Sequence, residues 1–149
     1  MYLPVNLEKH WAIDVEGDPI PSTRIWCLVA VNCASRETVK LTGYDEIKNF
    51  IDEKKSEGCK FVGHNIIGYD APTLNRIIGT RLTIGDLVDT MVLSMVYSPS
   101  SSGGHSLANW GSKLNMAKGE FNDFSRYSDE MMRYCLQDTL ICREIFIRI

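Results

Sequence analysis

The chain has 149 residues, 44% of them apolar and 23% charged, with 16 Lys and Arg against 19 Asp and Glu for a formal charge of −3. That balance suits one packed domain and excludes a disordered chain or a polybasic arm that coats nucleic acid by charge alone. The longest apolar run, Ile25–Val31, is too short for the ~20 residues that span a bilayer, so no membrane partner is expected.

His10–Val15 is an apolar run ending in charge, and Arg24–Asn32 is a longer one rich in Ile, Val, Trp and Leu; both read as strands. Thr38–Leu41 reads as a third, after the turn residues Ala34-Ser-Arg-Glu37. Ile47, Phe50 and Ile51 recur at helical spacing and Gly58 closes them, which predicts an amphipathic helix over Tyr44–Glu57. Lys60–Gly63 is a short buried strand. A helix opens near Ala71-Pro72, with Leu74, Ile77 and Ile78 as its apolar stripe and Gly79 as its stop. Asp86–Tyr97 reads as a brief strand passing into a helix. Ser98–Gly104 is a flexible loop, a candidate lid or guide for a bound strand, and Ser106–Leu114 is a short helix carrying Trp110. Ser128 caps a last helix, with Asp129 and Glu130 at its positive end. Trp26 and Trp110 are assigned to the core. The order predicts a single α/β domain over residues 1–149, with a sheet of mixed direction and helices on both faces. The N-terminus carries no basic stretch followed by an apolar one, and Cys27, Cys33, Cys59, Cys135 and Cys142 form no C-x-x-C pair. Both facts point to a cytoplasmic protein with reduced, mostly buried thiols.

Three groups of residues carry chemistry. Asp14 and Glu16, two apart at the end of a strand, project to one face at the sheet edge where open α/β sheets bind ligands. The bland alternative is a solvated acidic turn. Asp70 closes His64-Asn-Ile-Ile-Gly-Tyr-Asp70 at a strand-to-helix junction, as a site group or as a helix N-cap. Tyr134 and Asp138, four apart on the last helix, share a face; they are a polar pair in water or, given the apolar residues around them, a buried pair needing a partner. Four carboxylates converging in a partly dry site need about two divalent cations, in the arrangement used for in-line phosphoryl displacement. All-oxygen ligation suits Mg²⁺ or Mn²⁺ and disfavours zinc. No P-loop, dinucleotide-binding or nucleophile-elbow motif is present.

The ordered pattern D-x-E, H-N-x-x-G-Y-D and Y-x-x-x-D resembles the DEDDy subgroup of the DnaQ-like 3′→5′ exonucleases, over about Trp11 to Ile145. More narrowly, four blocks resemble the proofreading exonuclease domain of family A polymerases of podovirus-type bacteriophages. They are Val88-Asp-Thr-Met-Val-Leu-Ser94, His105-Ser-Leu-Ala-Asn-Trp-Gly-Ser-Lys-Leu114, Met116-Ala-Lys-Gly-Glu-Phe121 and Asp129-Glu-Met-Met-Arg-Tyr134. The resemblance implies a ribonuclease H-like fold, with Asp14, Glu16, Asp70 and Asp138 holding two Mg²⁺ or Mn²⁺ and Tyr134 orienting the attacking water. It further implies that His64, Asn65 and Tyr69 flank the terminal nucleotide, with structural roles equally open for His64 and Tyr69. The family's polymerase portion has no counterpart here, which leaves a free-standing nuclease and an excised domain both open.

For a bound strand, Lys113, Lys118 and Arg126 with Phe121, Phe124 and Tyr127 offer charge and stacking surfaces, unless the aromatics simply pack beneath a loop. Leu107 is a candidate wedge against the terminal base, or a core residue of its helix. The expected substrate is single-stranded DNA or a frayed DNA 3′ end, with RNA or short oligonucleotides as the alternative. A non-catalytic partner module is disfavoured, because all four carboxylates and the tyrosine are present. An active nuclease docking on a separate DNA polymerase through Ile145, Phe146, Ile147 and Ile149 also fits.

Overall fold

The computed structural model describes residues 5–149. Five strands, β1 (His10–Gly17), β2 (Ile25–Asn32), β3 (Thr38–Leu41), β4 (Lys60–Gly63) and β5 (Leu87–Asp89), form one sheet of order β3-β2-β1-β4-β5. β1 pairs antiparallel with β2 and β2 with β3, whereas β4 runs parallel to both β1 and β5. The sheet is therefore mixed, and the parallel strands β1, β4 and β5 end at one edge.

Alternation along β1 decides what each face buries. Trp11, Ile13 and Val15 point to a core completed by Ile47 and Ile51 of α1 (Tyr44–Ser56) and by Leu74. The opposite face, carrying Ala12, Cys27, Val29 and Val62, is covered by Met131, Cys135 and Cys142 of α5 (Asp129–Arg148). Helices lie on both faces, as expected. Ser128 caps α5 by accepting from the Met131 N–H at 3.1 Å. Further along, the buried Arg143 guanidinium donates to the Cys33 carbonyl at 2.8 and 3.1 Å, bolting α5 to the end of β2.

The segment after β4 departs from the simple helix expected. A π-helical turn over Ile66–Asp70 runs into one α turn, α2 (Ala71–Thr73), and a second π turn over Leu74–Ile78. Gly79, at φ 88°, ends the run and donates to the Leu74 carbonyl at 3.1 Å, a conformation that glycine adopts at little cost. β5 passes directly into α3 (Thr90–Tyr97) at Asp89. The buried Asp89 carboxylate accepts from Met91 and Val92 in the first turn of α3, and from Asn65 and Ile67 at 3.0 and 3.1 Å. One side chain thus ties together the beginnings of two helical segments.

Ser106 caps α4 (Leu107–Lys113) through the Asn109 N–H. The Asn109 amide also donates to the Ser102 and Gly104 carbonyls at 2.9 and 2.8 Å, so the loop expected to be flexible is fastened to its own helix. Trp26 and Trp110 are half-buried instead of core, because each indole N–H reaches a partner, the Phe124 carbonyl and Ser94 Oγ, both at 2.9 Å. Near the C-terminus, Ile145 enters the core and Phe146 stacks on His10, which leaves Ile147 and Ile149 exposed. All five cysteines are buried and free of disulfides. Among the described residues no helix is long and apolar enough to cross a membrane.

Replacing Asp89 with Ala strands four backbone donors. The variant is expected to lose about 3 kcal/mol of stability, measured as a shift in urea midpoint at unchanged slope. A loss under about 1 kcal/mol would show that the carboxylate does not hold the two helical segments together.

Candidate metal centre

Asp14 and Glu16 leave β1 on the α5 side, in register with Val29 and Cys27 of β2. Asp70 arrives from the irregular turn after β4, and Tyr134 and Asp138 come from one face of α5. All five line a single cleft of about 510 Å³, together with His64, Asn65, Tyr69, Leu107 and Lys118.

The alternatives left open by the sequence separate here. Asp70 makes no capping bond and is 4% exposed; Asp138 is 5% exposed and on no solvated face. Asp14 Oδ2, Asp70 Oδ2 and Asp138 Oδ1 are the buried side-chain oxygens that find no hydrogen-bond partner among the described residues. An unpaired buried acceptor costs about 1–3 kcal/mol, and more when it is charged. Three at one place are a set of oxygen donors of the kind that can hold a cation. Asp14, Glu16 and Cys135 also bring their ligand atoms within 4.8 Å of one another, a group that could hold a metal ion. The Cys135 thiol donates to the Asp14 carbonyl at 3.3 Å, and burial pushes it well above its ordinary value.

The crowding and burial push the carboxylates toward their protonated forms. Burial, then the charge of Asp14 beside it, pushes Glu16 up to about 11. Burial likewise raises Asp14, and burial with the neighbouring Asp14 charge raises Asp70 well above the carboxylate range. Asp138 rises to about 7, through burial and Asp14, with Lys118 opposing.

Lys118 belongs to the site itself. Its ammonium donates to Tyr134 Oη at 2.7 Å, lies 3.6 Å from Asp138 Oδ2 and sits over the Tyr134 ring at 4.9 Å. The rest of the expected basic groove does not form around it. Lys113 bonds Ser101, Arg126 faces Asp123 at 4.0 Å, and Tyr127 donates to Asp129 at 3.3 Å. Phe121 and Phe124 pack against the Tyr134 ring, and Phe124 also lines the cleft.

His64 has both ring nitrogens engaged. Nε2 donates to the His105 carbonyl at 2.7 Å, which leaves Nδ1 to accept from Thr90 Oγ1 at 2.8 Å. Both ring nitrogens are thus engaged within the fold, while the ring itself still lines the cleft. Tyr69 shares a 2.9 Å hydrogen bond with the buried Ser22, which fixes its phenol in the cleft. Asn65, left-handed at φ 59°, gives its N–H to Asp89 and leaves its exposed side chain at the rim. Leu107 is a half-buried apolar edge of the cleft and not a core residue. The sequence did not mark Asp89 or Ser22, although an Asp between a short strand and a helix is an N-cap signal. No family model and no curated protein matches the chain.

The raised carboxylates fix a sign. Glu16 and Asp138 have ordinary values of 4.5 and 3.8 but about 11 and about 7 in the fold. The folded state holds these protons more tightly, so both contributions are full below about pH 4; that of Asp138 is lost as pH rises through about 7, and that of Glu16 declines steadily up to about 11. The melting temperature of metal-free protein is expected to fall between pH 5 and pH 8. Added Mn²⁺ should restore it more at pH 8 than at pH 5. A flat profile with no metal response would contradict the assignment of this cleft as a cation site.

Proposed function

We propose that the chain is a metal-dependent 3′→5′ exonuclease of ribonuclease H-like fold. It hydrolyses single-stranded DNA or frayed 3′ ends to nucleoside monophosphates, in proofreading or repair beside a DNA polymerase. The observation that carries this reading is the set of three unpartnered, buried carboxylate oxygens, from Asp14, Asp70 and Asp138, in one cleft with Tyr134. Asp14, Glu16, Asp70 and Asp138 would hold two Mg²⁺ or Mn²⁺ ions, in keeping with an oxygen donor set. Bound there, the cations supply the Lewis acidity that lets water attack a phosphodiester near neutrality and offset charge on the leaving 3′ oxygen.

The chain's own residues account for the rest. Two divalent cations balance four carboxylates, which leaves the Lys118 charge to face the single charge of a phosphodiester. Burial raises Tyr134 above its ordinary value, so the phenol stays protonated. Its oxygen accepts from Lys118, and its own O–H is left to orient the attacking water, a positioning role instead of that of a base. Tyr69, Asn65 and Leu107 give the terminal nucleotide a ring, an amide and an apolar edge.

The decisive experiment follows a 5′-labelled DNA oligonucleotide in Mg²⁺ or Mn²⁺ and in chelator. Stepwise 3′ shortening is expected only with metal. Asp138→Ala should lower kcat about a thousandfold or more, because several kcal/mol of charge stabilisation vanish. Its DNA affinity should change only a few-fold, whereas Tyr134→Phe should cost about a hundredfold in kcat. Full activity in Asp138→Ala would remove the assignment. Faster cleavage of a matched RNA would move the substrate class and keep the site.

A further inference from the structure

Cys135 is a core thiol that also borders the carboxylates. It is on α5, one turn before Asp138, and it is fully buried directly under the carboxylates of Asp14 and Glu16, with all three ligand atoms within 4.8 Å. Asp138 Oδ1, on the same helix face, and Asp14 Oδ2 both lack any partner. Oxygen donors satisfy hard cations, and Mg²⁺ and Mn²⁺ gain little from sulfur. Zn²⁺ and Cd²⁺ gain a great deal, because thiolate is among their preferred ligands, and Zn²⁺ also accepts carboxylate oxygen.

We propose that Asp14, Glu16 and Cys135 form a capture site for thiophilic divalent cations, a binding mode distinct from the oxygen-only mode used by Mg²⁺ and Mn²⁺. It rests on the metal-centre reading of the cleft and not on the identity of the nucleic acid. In the binding step metal–sulfur and metal–oxygen bonds form, the Cys135 S–H and Glu16 O–H bonds break and both protons leave to solvent, with no redox change. The thiol gives up its 3.3 Å bond to the Asp14 carbonyl, and Asp14 and Glu16 are drawn down toward the sulfur, away from Asp70 and Asp138. A cation held there occupies two carboxylates that the hydrolytic arrangement requires. Thiophilic cations are therefore inhibitors of this enzyme, and Cys135 is the residue that makes them so.

The test titrates the purified protein with Cd²⁺ and follows the ultraviolet thiolate-to-cadmium charge-transfer band. Wild type, Cys135→Ser and Cys135→Ala are compared, and Mn²⁺ binding by electron paramagnetic resonance shows that each variant is folded with an intact site. The band is expected in wild type at one equivalent and absent from both variants. Their Cd²⁺ affinity should fall at least about tenfold, the lower end of what even an outer-shell change costs, with Mn²⁺ affinity unchanged. Inhibition of Mg²⁺-dependent hydrolysis by Zn²⁺ should weaken by a similar factor in Cys135→Ser. Cd²⁺ binding without the band in wild type, or with a band that survives in Cys135→Ser, overturns the proposal and leaves the oxygen site standing. Failure of wild type to bind either Mn²⁺ or Cd²⁺ overturns the metal centre and this inference together.

Discussion

The repulsion among Asp14, Glu16, Asp70 and Asp138 is the constraint around which the chain is arranged. Carboxylates forced together out of water either take up protons or recruit positive charge, and this cleft combines raised carboxylates with the Lys118 ammonium. Holding them at fixed positions needs a rigid scaffold, because any element free to move would relieve the repulsion by carrying its acid into solvent. The sheet supplies two of the acids from its central strand, where both faces are packed. The other two come from segments anchored elsewhere: the turn after β4 by Asp89, and α5 by Arg143.

Asp89 shows how a fifth carboxylate near the same place escapes the problem. It accepts four backbone N–H groups from the beginnings of two helical segments, so its charge is met by oriented dipoles. Asp70, at another strand-to-helix junction, has no such donors. Two similar positions in the fold thus hold the same residue type in opposite states, one satisfied and structural, the other unsatisfied and available to a ligand. Backbone geometry makes the difference, since the π-helical turn that ends at Asp70 leaves no N–H aimed at its side chain.

Much of this was legible in the residues. Thr38–Leu41 and Lys60–Gly63 fall on the strands read from their flanking turns, and the α5 cap at Ser128 follows from its side chain. Period-two spacing puts Asp14 and Glu16 together, and four-residue spacing does the same for Tyr134 and Asp138. Lys118 was legible only as a charge, because it lies between α4 and α5 in a stretch without regular structure, where no period says which way a side chain points. The π turns were hidden for the opposite reason: Leu74, Ile77 and Ile78 fit an ordinary helix, and one extra residue per turn leaves no mark on so short a stripe. The fastened Ser98–Gly104 loop depended on Asn109, whose double carbonyl contact has no signature in composition.

Placing so much on α5 also governs where the chain tolerates a change of length. Tyr134 and Asp138 face the cleft and Arg143 faces the end of β2, all on one rigid rod. A single residue inserted between Asp138 and Arg143 turns one group about 100° relative to the other, so the bolt and the acid could not both reach their partners. Drift in length during evolution is thereby steered out of this helix and into the connections around it, above all the irregular stretch between α4 and α5. There, Lys118 and the Phe121–Phe124 pair that packs on Tyr134 must return to their places.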